Sequence, residues 1–326
     1  MKMIKRILTI LMFVFLLASC NRLNTYTKMI YTMDTIVNVK LEATNEATAN
    51  VHFTEIENIY EKYNNLADDY MSHSEIKSVY DINTNRTEVV ADELIELLNY
   101  AISINKETNG YYEPLIGNIS HLWKDYVLNV KKPEDGNIDF VLQSLDKELN
   151  NIKESKIVIE GNKVSIIGNA NIDLGGIAKG FATEKVYQYL KKNNVRYYLV
   201  DAGSSNILLG EKSNNEDFNV GIKNKDSGYF EIIKAKNKAI GTSSYREQTK
   251  LIDGKRYTHL INAKTGKTID NYFSLTLIGD DSAKLDAYTT ALYAMSVEEI
   301  KEFLNDKNID VIIYGEDGLI YSSLKD

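Results

Sequence analysis

The sequence predicts an α+β fold, because segments with the features of strands follow one another in irregular runs that helices interrupt. The strand segments are rich in β-branched residues, whereas the helical segments have apolar residues every three or four positions. With 326 residues, of which 44% are apolar and 26% charged, the chain can form one large or two medium hydrophobic cores. It contains no internal repeat or low-complexity linker, so any two lobes must be interleaved along the sequence.

The N-terminus has the features of a secretory signal. Basic residues at positions 2, 5 and 6 precede an apolar run over residues 7–18, which is too short to span a bilayer comfortably. The run ends in Leu-Ala-Ser-Cys, which resembles a bacterial lipobox with Cys20, the only cysteine, as the lipidated residue. An uncleaved membrane anchor with an incidental cysteine is the alternative interpretation.

This pattern predicts a signal peptide over residues 1–19, a polar tether over residues 20–27 and one domain over residues 28–326. The mature protein is then expected to be a lipoprotein on the extracytoplasmic face of the bacterial cell membrane, because two or more acyl chains anchor a protein stably. A single cysteine excludes an internal disulfide.

The first half of the domain mixes strands with amphipathic helices. A strand with a turn at Met33-Asp34 comes first, and Gly161-Asn162 marks the turn of a hairpin that ends this half. In order, we expect a strand over 30–41, a helix over 45–65, a short helix ending at 82, helices over 92–106 and 138–149, and the hairpin over 156–167.

The second half carries most of the predicted strands. It begins with a helix from about residue 183 and contains a hydroxyl-rich segment over residues 239–246. We expect strands over 197–200, 207–209, 218–222 and 229–235, a hairpin leading to residue 257, a strand over 274–278, helices over 281–295 and 297–305, and strands over 311–314 and 319–321.

The stretch over residues 171–182 places an aspartate, two glycines and small residues directly before a helix. Gly175 and Gly176 allow a close approach of the backbone, and the first turn of the helix offers unpaired N–H groups to an anion. This combination suits a phosphate-bearing ligand, and it equally suits a turn that only packs a helix against a strand. It is not a P-loop, because Lys179 precedes Gly180 and no Ser or Thr follows the lysine.

Two tyrosines and a carboxylate follow Gly110 in a loop that also contains a proline. Tyr111, Tyr112 and Glu113 have the chemistry to hold a flat aromatic ring. Tyrosines in such loops are also common as partly buried packing residues, which is the alternative.

Asp286 and Thr290 lie four residues apart in a predicted helix and therefore share one face. Together they offer hard oxygen ligands of the kind that magnesium takes, with phosphate oxygens and waters to complete the shell. The alternative is an ordinary aspartate beside a threonine that bonds back to its own helix.

The net charge of −8 argues against a nucleic-acid groove, because phosphate contacts need clustered Lys and Arg. The four histidines are isolated and show no zinc-binding spacing. His259 lies at the end of a predicted strand, where functional sites are common, although a lone histidine is usually structural.

These motifs occur in the order and rough spacing of the ApbE-type FAD:protein FMN transferases, which the chain resembles from about Met33 to Met295. Met-Asp-Thr at 33–35 looks like that family's Met-Gly-Thr, and residues 110–123 look like its Gly-aromatic-Asp loop that ends in Leu-Trp. The other matching motifs are Asp-Leu-Gly-Gly-Ile-Ala-Lys-Gly at 173–180, Asp-Ala-Gly at 201–203, His-Leu-Ile at 259–261 with Thr-Gly at 265–266, and Asp-Ala-Tyr-Thr-Thr at 286–290.

The resemblance implies an ApbE-like fold with mixed, mainly antiparallel sheets and an active cleft between two interleaved lobes. It implies that the protein binds FAD and transfers FMN to a threonine hydroxyl of a partner protein, with release of AMP and with Mg²⁺ on the pyrophosphate. The expected partner is an exported or membrane redox protein. Phosphoryl transfer depends on positioning and charge neutralisation, so a metal-bridged substrate also suits an acidic protein.

The resemblance also assigns roles to individual residues. It implies catalytic roles for His259, which would assist the accepting hydroxyl, and for Asp286. Flavin and nucleotide contacts would come from Met33, Tyr70, Tyr111, Tyr112, Glu113, Asp173, Lys179 and Ile261. Metal ligands would be the side chains of Asp286 and Thr290 and the backbone oxygens of Gly176 and Thr289.

Four positions depart from the family pattern. Asp34 replaces Gly, Glu113 replaces Asp, and Ser204 replaces the second glycine of an Asp-Ala-Gly-Gly run. Asn262-Ala263 replaces the usual Asp-Pro, which removes a negative charge near the expected cleft. The last departure bears on how efficiently the chain performs the transfer.

Two other functions fit the same residues. One is a magnesium-dependent FAD pyrophosphatase that gives FMN and AMP, with water in place of the threonine. The other is a lipoprotein that binds FAD without catalysis, which predicts no release of AMP.

Overall fold

The computed structural model describes residues 23–130, 137–226, 228–246 and 248–324, in which strands and helices interleave along the chain. The strands are β1 (Asn24–Thr32), β2 (Thr35–Ala43), β3 (Thr87–Val89), β4 (Lys156–Glu160), β5 (Lys163–Ile167), β6 (Tyr198–Ala202), β7 (Asn206–Leu209), β8 (Phe218–Lys223), β9 (Tyr229–Ala235), β10 (Lys238–Ser244), β11 (Thr249–Ile252), β12 (Lys255–Thr258), β13 (Ser274–Gly279), β14 (Asp310–Gly315) and β15 (Gly318–Ser322). The helices are α1 (Glu46–Ala67), α2 (Val79–Asn85), α3 (Asp92–Glu107), α4 (Gly117–Trp123), α5 (Ile138–Glu154), α6 (Ala178–Lys192), α7 (Ser282–Leu292) and α8 (Val297–Leu304). A π-helical turn, Lys124–Leu128, continues α4.

The largest sheet contains eight strands in the order β1-β2-β6-β7-β10-β13-β14-β15, and neighbouring strands are antiparallel throughout. Smaller antiparallel sheets are formed by β3-β5-β4, by β8-β9 and by β11-β12. Isolated parallel bridges join Ile116 to Asn171 and Tyr197 to Glu211. The α+β class with mainly antiparallel pairing is therefore confirmed.

Helix α1 packs its apolar face against the β1-β2 edge of the large sheet. The buried residues Phe53, Ile56, Tyr60 and Tyr63 recur at the three- and four-residue spacing that the sequence indicates. Each such burial contributes roughly 1.5–3 kcal/mol. Asn45 caps the helix, as its side chain accepts the Thr48 N–H at 2.9 Å.

Helices α6 and α7 approach each other closely because a glycine lies at their contact. A Cβ atom on Gly180 would lie 2.3 Å from the Cβ of Asp286 and 2.6 Å from the backbone oxygen of Ser282. On the sheet side, Gly241 of β10 admits α7 in the same way, since its Cβ would lie 3.0 Å from the backbone of Leu285. Helix α7 is therefore held between α6 and the large sheet.

The turn between β1 and β2 has the predicted position. Met33 and Asp34 have φ angles of 51° and 55°, and Thr32 pairs with Thr35. Two left-handed residues are the usual connection of a tight hairpin. Aspartate tolerates this conformation better than most residues, which explains why Asp34 can stand where the family has glycine.

Three sequence predictions are corrected. The tether was predicted to reach Thr27, but β1 begins at Asn24, so residues 24–27 belong to the domain; their polar character reflects an edge strand that faces solvent. The hydroxyl-rich segment over 239–246 is largely strand β10, because pairing with β7 and β13 on both sides overrides the weak β-propensity of glycine and serine. The short helix expected to end at residue 82 is α2, which begins after a capping box of Ser78 and Asp81 and continues to Asn85.

The predicted signal peptide and Cys20 lie outside the described residues. Within those residues, every helix falls short of the combined length and apolarity that crossing a membrane requires.

Candidate functional site

Residues from both halves of the chain line a cavity of about 1140 Å³. We term "helical wall" its lining residues from the glycine stretch, α6 and α7, which are Asp173, Gly175, Gly176, Lys179, Asp286 and Thr290. We term "hairpin wall" its lining residues from β8, β9 and the segment between β10 and β13, which are Asn219, Val220, Gly221, Ile222, Lys223, Tyr229, Ile233, Arg246, Gln248, His259, Leu260, Ile261, Ala263 and Phe273.

Most residues that the resemblance assigns to the site line this cavity. They are Met33, Tyr111, Tyr112, Glu113, Asp173, Gly176, Lys179, His259, Ile261, Asp286 and Thr290. Tyr70 and Thr289 do not line it. Sequence positions up to 257 residues apart, from Met33 to Thr290, are thus brought together, while their individual roles stay predictions.

Asp286 is the most deeply buried carboxylate of the helical wall, with 8% of its surface exposed. Its Oδ2 accepts the backbone N–H of Gly180 at 2.7 Å, a contact that the missing side chain of Gly180 makes possible. Burial raises the pKa of Asp286 above its usual value, and the charge of Lys179 and the Gly180 amide oppose that rise. A buried carboxylate of this kind gains most from a nearby cation.

Thr290 extends the oxygen surface beside Asp286. Its hydroxyl lies 3.4 Å from the backbone oxygen of Gly176 and 3.3 Å from that of Asp286. Adjacent ligands of an octahedral Mg²⁺ at 2.0–2.1 Å are about 2.9 Å apart, so the Thr290 hydroxyl and the Gly176 carbonyl are close to the separation that one small cation requires. The described residues contain no group of three or more His, Cys, Asp and Glu side chains suited to a metal. A cation here would therefore depend on one carboxylate together with hydroxyl and carbonyl oxygens.

Thr289 lies behind this surface. Its side chain is buried and donates to the backbone oxygen of Asp286 at 2.8 Å, while its backbone oxygen accepts the N–H of Tyr293 at 3.1 Å. The carbonyl is engaged in the helix, and only its second lone pair is available to a ligand.

Asp173 and Lys124 form an ion pair in the cavity that sequence reasoning missed. The Nζ of Lys124 lies 3.5 Å from Oδ2 of Asp173, and Oδ1 accepts the Gly175 N–H at 2.7 Å. Burial alone would raise the pKa of Asp173, but Lys124, Ser120 and the Gly175 amide hold it below its usual value. Asp173 is therefore an ionised hydrogen-bond acceptor in the lining of the cavity.

Tyr70 lies next to this ion pair and not in the cavity lining. Its ring stacks on His121 with 4.4 Å between the ring centroids, and the Lys124 Nζ lies 5.4 Å from its centroid. His121 donates to Asp69 at 2.7 Å; burial opposes its protonation, but the Asp69 carboxylate raises the pKa of His121 above its usual value. Tyr70 is therefore connected to the cavity indirectly, by its contact with Lys124, which lines it.

The loop of Tyr111, Tyr112 and Glu113 combines structural and exposed polar groups. Glu113 is structural, because its two oxygens accept Asn105 Nδ2 and the Leu115 N–H, each at 2.9 Å. The Tyr112 hydroxyl is buried and has no hydrogen-bond partner among the residues that the structure describes. Burial and the carboxylates around it raise the pKa of Tyr112 well above its usual value, so this hydroxyl is a ready donor to a ligand.

His259 is held in one tautomer by the hairpin wall. The backbone oxygen of Gln248 accepts both the His259 backbone N–H at 3.2 Å and Nδ1–H at 3.3 Å. The other ring nitrogen, Nε2, is therefore the acceptor. Burial lowers the pKa of His259 below its usual value, and the charges of Lys179 and Lys124 lower it further. His259 is a neutral base near both lysines.

The departures from the family pattern are accommodated locally. Asn262 Oδ1 accepts the Lys264 N–H at 2.9 Å, which a carboxylate oxygen would do equally well, and Asn262 does not line the cavity. Ser204 adopts a φ of 64°, and its N–H donates to Asp201 at 2.7 Å. Neither departure removes a group from the cavity lining.

Comparisons with known proteins agree with this geometry. The ApbE family model matches residues 33–313. The FAD:protein FMN transferase of Vibrio cholerae serotype O1 is 28% identical over 281 residues, which cover 82% of this chain and 80% of the relative. The FAD:protein FMN transferase of Klebsiella pneumoniae is 23% identical over 323 residues, or 94% of this chain and 96% of the relative.

Solved structures show the same fold. A His-to-Gly variant of the flavin transferase ApbE from Vibrio cholerae superposes with a TM-score of 0.75 at 26% identity, over 92% of this chain and 97% of that chain. The ApbE protein of Thermotoga maritima superposes with a TM-score of 0.78 at 22% identity, over the same shares of the two chains. The family model covers most of the sequence, and the motifs that it matches meet in one cavity. The chain therefore belongs to the ApbE family.

Proposed function

We propose that this protein is a FAD:protein FMN transferase, which moves FMN from FAD to a threonine hydroxyl of a partner protein and releases AMP. The observation that carries the proposal is the meeting of Asp286, Thr290 and Gly176 with the neutral base His259 around one cavity. Relatives that cover most of this chain bear the same name. At about 1140 Å³, the cavity exceeds the roughly 300–1,000 Å³ of ordinary ligand pockets and has room for a dinucleotide.

We infer that Mg²⁺ is held by Asp286, Thr290 and the backbone oxygen of Gly176, with a further oxygen from Thr289. The close oxygens of Thr290 and Gly176 and the buried carboxylate fit such an ion. When bound, it would neutralise charge on the pyrophosphate oxygens. Lys179, which lines the same wall, adds a fixed positive charge for the substrate phosphates.

In the proposed transfer, the acceptor oxygen forms a bond to the FMN phosphorus while the bond from that phosphorus to the bridging oxygen breaks. The hydroxyl proton passes to Nε2 of His259, and AMP leaves with the bridging oxygen. Because the pKa of His259 is lowered, the imidazole is neutral and able to accept this proton at neutral pH. The Tyr112 hydroxyl, which has no hydrogen-bond partner in the described part of the chain, donates to the ligand in the same cavity.

The experiment is incubation with FAD, Mg²⁺ and an exported redox protein, followed by in-gel flavin fluorescence and measurement of AMP. A transferase gives a fluorescent acceptor band and AMP in equal amounts. The matched control is the same acceptor with its threonine changed to valine, which should receive no flavin. AMP and free FMN without a labelled band would establish the pyrophosphatase instead, and bound FAD without AMP would establish a binding protein.

We also propose that Cys20 is lipidated and anchors the protein to the extracytoplasmic face of the membrane, where it meets exported or membrane redox proteins. The support is the lipobox-like Leu-Ala-Ser-Cys at the end of an apolar run. Cys20→Ala should release the protein from the membrane fraction and prevent the mobility shift of lipidation. Unchanged fractionation and mobility in this variant would refute the anchor.

A further inference from the structure

Charge is distributed unevenly along the chain. Residues 218–260 contain nine lysines and arginines but only four aspartates and glutamates, whereas the whole chain carries a net charge of −8. This segment forms β8 to β12 and supplies most of the hairpin wall. One side of the cavity is therefore built from a basic part of an acidic protein.

Two cations of this segment, Lys223 and Arg246, lie at the cavity with their side chains exposed to solvent. Arg246 Nη1 donates at 2.6 Å to the backbone oxygen of Asn224, the residue that follows Lys223. The Nζ of Lys223 donates to Ser204 Oγ at 2.8 Å. The ion pairs among the described residues use other cations of the segment, namely Lys236, Lys238 and Arg256, and include neither Lys223 nor Arg246.

Tyr229 adds an aromatic surface next to these cations. Its side chain is 58% exposed, although it also lines the cavity. The ring packs across Gly221, where a Cβ would lie 2.2 Å from Cδ1 of Tyr229. Tyr229 is also the cross-strand partner of Lys223, and tyrosine and arginine are both enriched at protein interfaces.

The two cations lie in the hairpin wall, which also carries His259, and not in the helical wall, which carries the oxygens that suit a metal. Arg246 is two residues from Gln248, whose carbonyl holds both the backbone and the ring of His259. The oxygens that suit a metal belong to the helical wall. Arg246 and Lys223 therefore line the same wall of the cavity as His259, to which an acceptor hydroxyl would be brought.

We propose that Lys223, Arg246 and Tyr229 form a docking surface for an acidic segment of the acceptor protein next to its acceptor threonine. This proposal rests on the proposed transferase function. It adds that the partner is chosen by negative charge, because exposed cations that form no ion pair with a described carboxylate attract an acidic segment and repel a basic one.

Two fluorescent peptides test this surface on the FAD-loaded, full-length protein. Each has a central threonine, which carries aspartate and glutamate neighbours in one peptide and lysine neighbours in the other. We expect the acidic peptide to bind at least about fivefold more tightly at roughly 20 mM salt, with the difference shrinking near 0.5 M salt as the charges are screened.

Charge-reversal variants locate the effect. Lys223→Glu/Arg246→Glu should abolish or invert the preference, whereas Lys156→Glu/Lys163→Glu, which changes two exposed lysines of β4 and β5 outside the cavity, should preserve it. FAD affinity is measured in both double variants, so that an effect on the dinucleotide is separated from an effect on peptide binding. Equal binding of the two peptides by the wild-type protein, or a preference that survives Lys223→Glu/Arg246→Glu, would overturn the proposal.

Two further outcomes would assign the cations elsewhere. A fall in FAD affinity of about tenfold in Lys223→Glu/Arg246→Glu would mean that they bind the dinucleotide. Binding of wild-type protein to phosphatidylserine vesicles without discrimination between the peptides would mean that they face a membrane. Release of AMP from FAD in the same preparations reports on the proposed function separately, so a failure of docking is distinguishable from a failure of catalysis.

Discussion

The helical wall and the hairpin wall of the cavity are built in opposite ways. In the helical wall, Asp286 is fixed between α6 and α7, which are in close contact through Gly180. In the hairpin wall, Lys223 and Tyr229 pair across the two-stranded sheet β8-β9, Arg246 lies in the turn after β10, and all three side chains are exposed to solvent. Two-stranded sheets are marginally stable on their own, whereas close-packed helices resist displacement. Close packing of two helices thus fixes the buried carboxylate, whereas the exposed cations are placed by a two-stranded sheet and a turn.

The largest effect is expected for Asp286→Ala in the helical wall. Removing the one buried carboxylate beside Thr290 and Gly176 should lower AMP release about 10²- to 10³-fold, the usual cost of losing a preorganised electrostatic group. Asp280→Ala, which removes an exposed carboxylate just before the same helix, should retain full activity. AMP release at saturating FAD is the measurement. Intact turnover in Asp286→Ala would mean that the metal is held elsewhere.

In the hairpin wall, His259→Gln should lower flavin transfer about 10²-fold, because general-base catalysis is typically worth 10²- to 10⁴-fold. The wild-type rate should also fall as the pH drops through the pKa of His259, since imidazolium cannot accept a proton. Because that pKa is lowered, the fall should lie below pH 6.5, the usual value. The pH–rate profiles of the wild-type protein and of His259→Gln are the measurement. If the variant shows the same fall in rate at acid pH, His259 is not the group that accepts the proton.

Lys124→Met tests the ion pair between Lys124, which lines the cavity, and Asp173 of the helical wall. Without its ion pair, the buried Asp173 loses the charge that lowers its pKa, so FAD binding should weaken about tenfold, which corresponds to roughly 1.4 kcal/mol. The loss should grow toward acid pH, because Asp173 then becomes protonated at a higher pH than in the wild-type protein. Lys124→Arg should restore most of the affinity. Titration of FAD between about pH 5 and 8 measures this, and a pH-independent loss would indicate a packing defect instead.

The smallest effect is expected for Asn262→Asp, which restores the residue that the family usually has. The Oδ1 acceptor for Lys264 N–H persists, so stability should change by less than about 0.5 kcal/mol, and transfer by less than about twofold. Thermal unfolding and flavin transfer are the measurements. A large gain in transfer would show that the missing negative charge acts on the cavity from a distance.

The sequence predicted those features that are local in the chain. The four-residue spacing of Asp286 and Thr290 required them to share a helix face, and two residues at Met33-Asp34 marked the β1-β2 turn. For motifs that are far apart in the sequence, the resemblance to the ApbE family predicted a shared site, and most of their assigned residues line one cavity. The sequence did not reveal Lys124, because its ion pair with Asp173 crosses 49 residues and depends on a π-helical turn that has no sequence periodicity of its own.

The strand β10 was missed for a related reason. Its glycine and serine residues have low intrinsic β-propensity, and only pairing with β7 and β13 makes them a strand. The unpartnered hydroxyl of Tyr112 is likewise a property of the assembled site, since no pattern in a sequence reports which buried group lacks a partner. What escaped prediction is thus what tertiary contacts create.

Gly180 has a consequence for engineering a more heat-resistant form of this protein. Glycine inside a helix costs about 1 kcal/mol relative to alanine, so Gly180→Ala is the substitution that a search for thermostability would try first in α6. Here the added methyl group would meet Asp286 at 2.3 Å, and the helices would have to separate. The missing side chain that makes this position look improvable is therefore the condition for keeping the carboxylate in place.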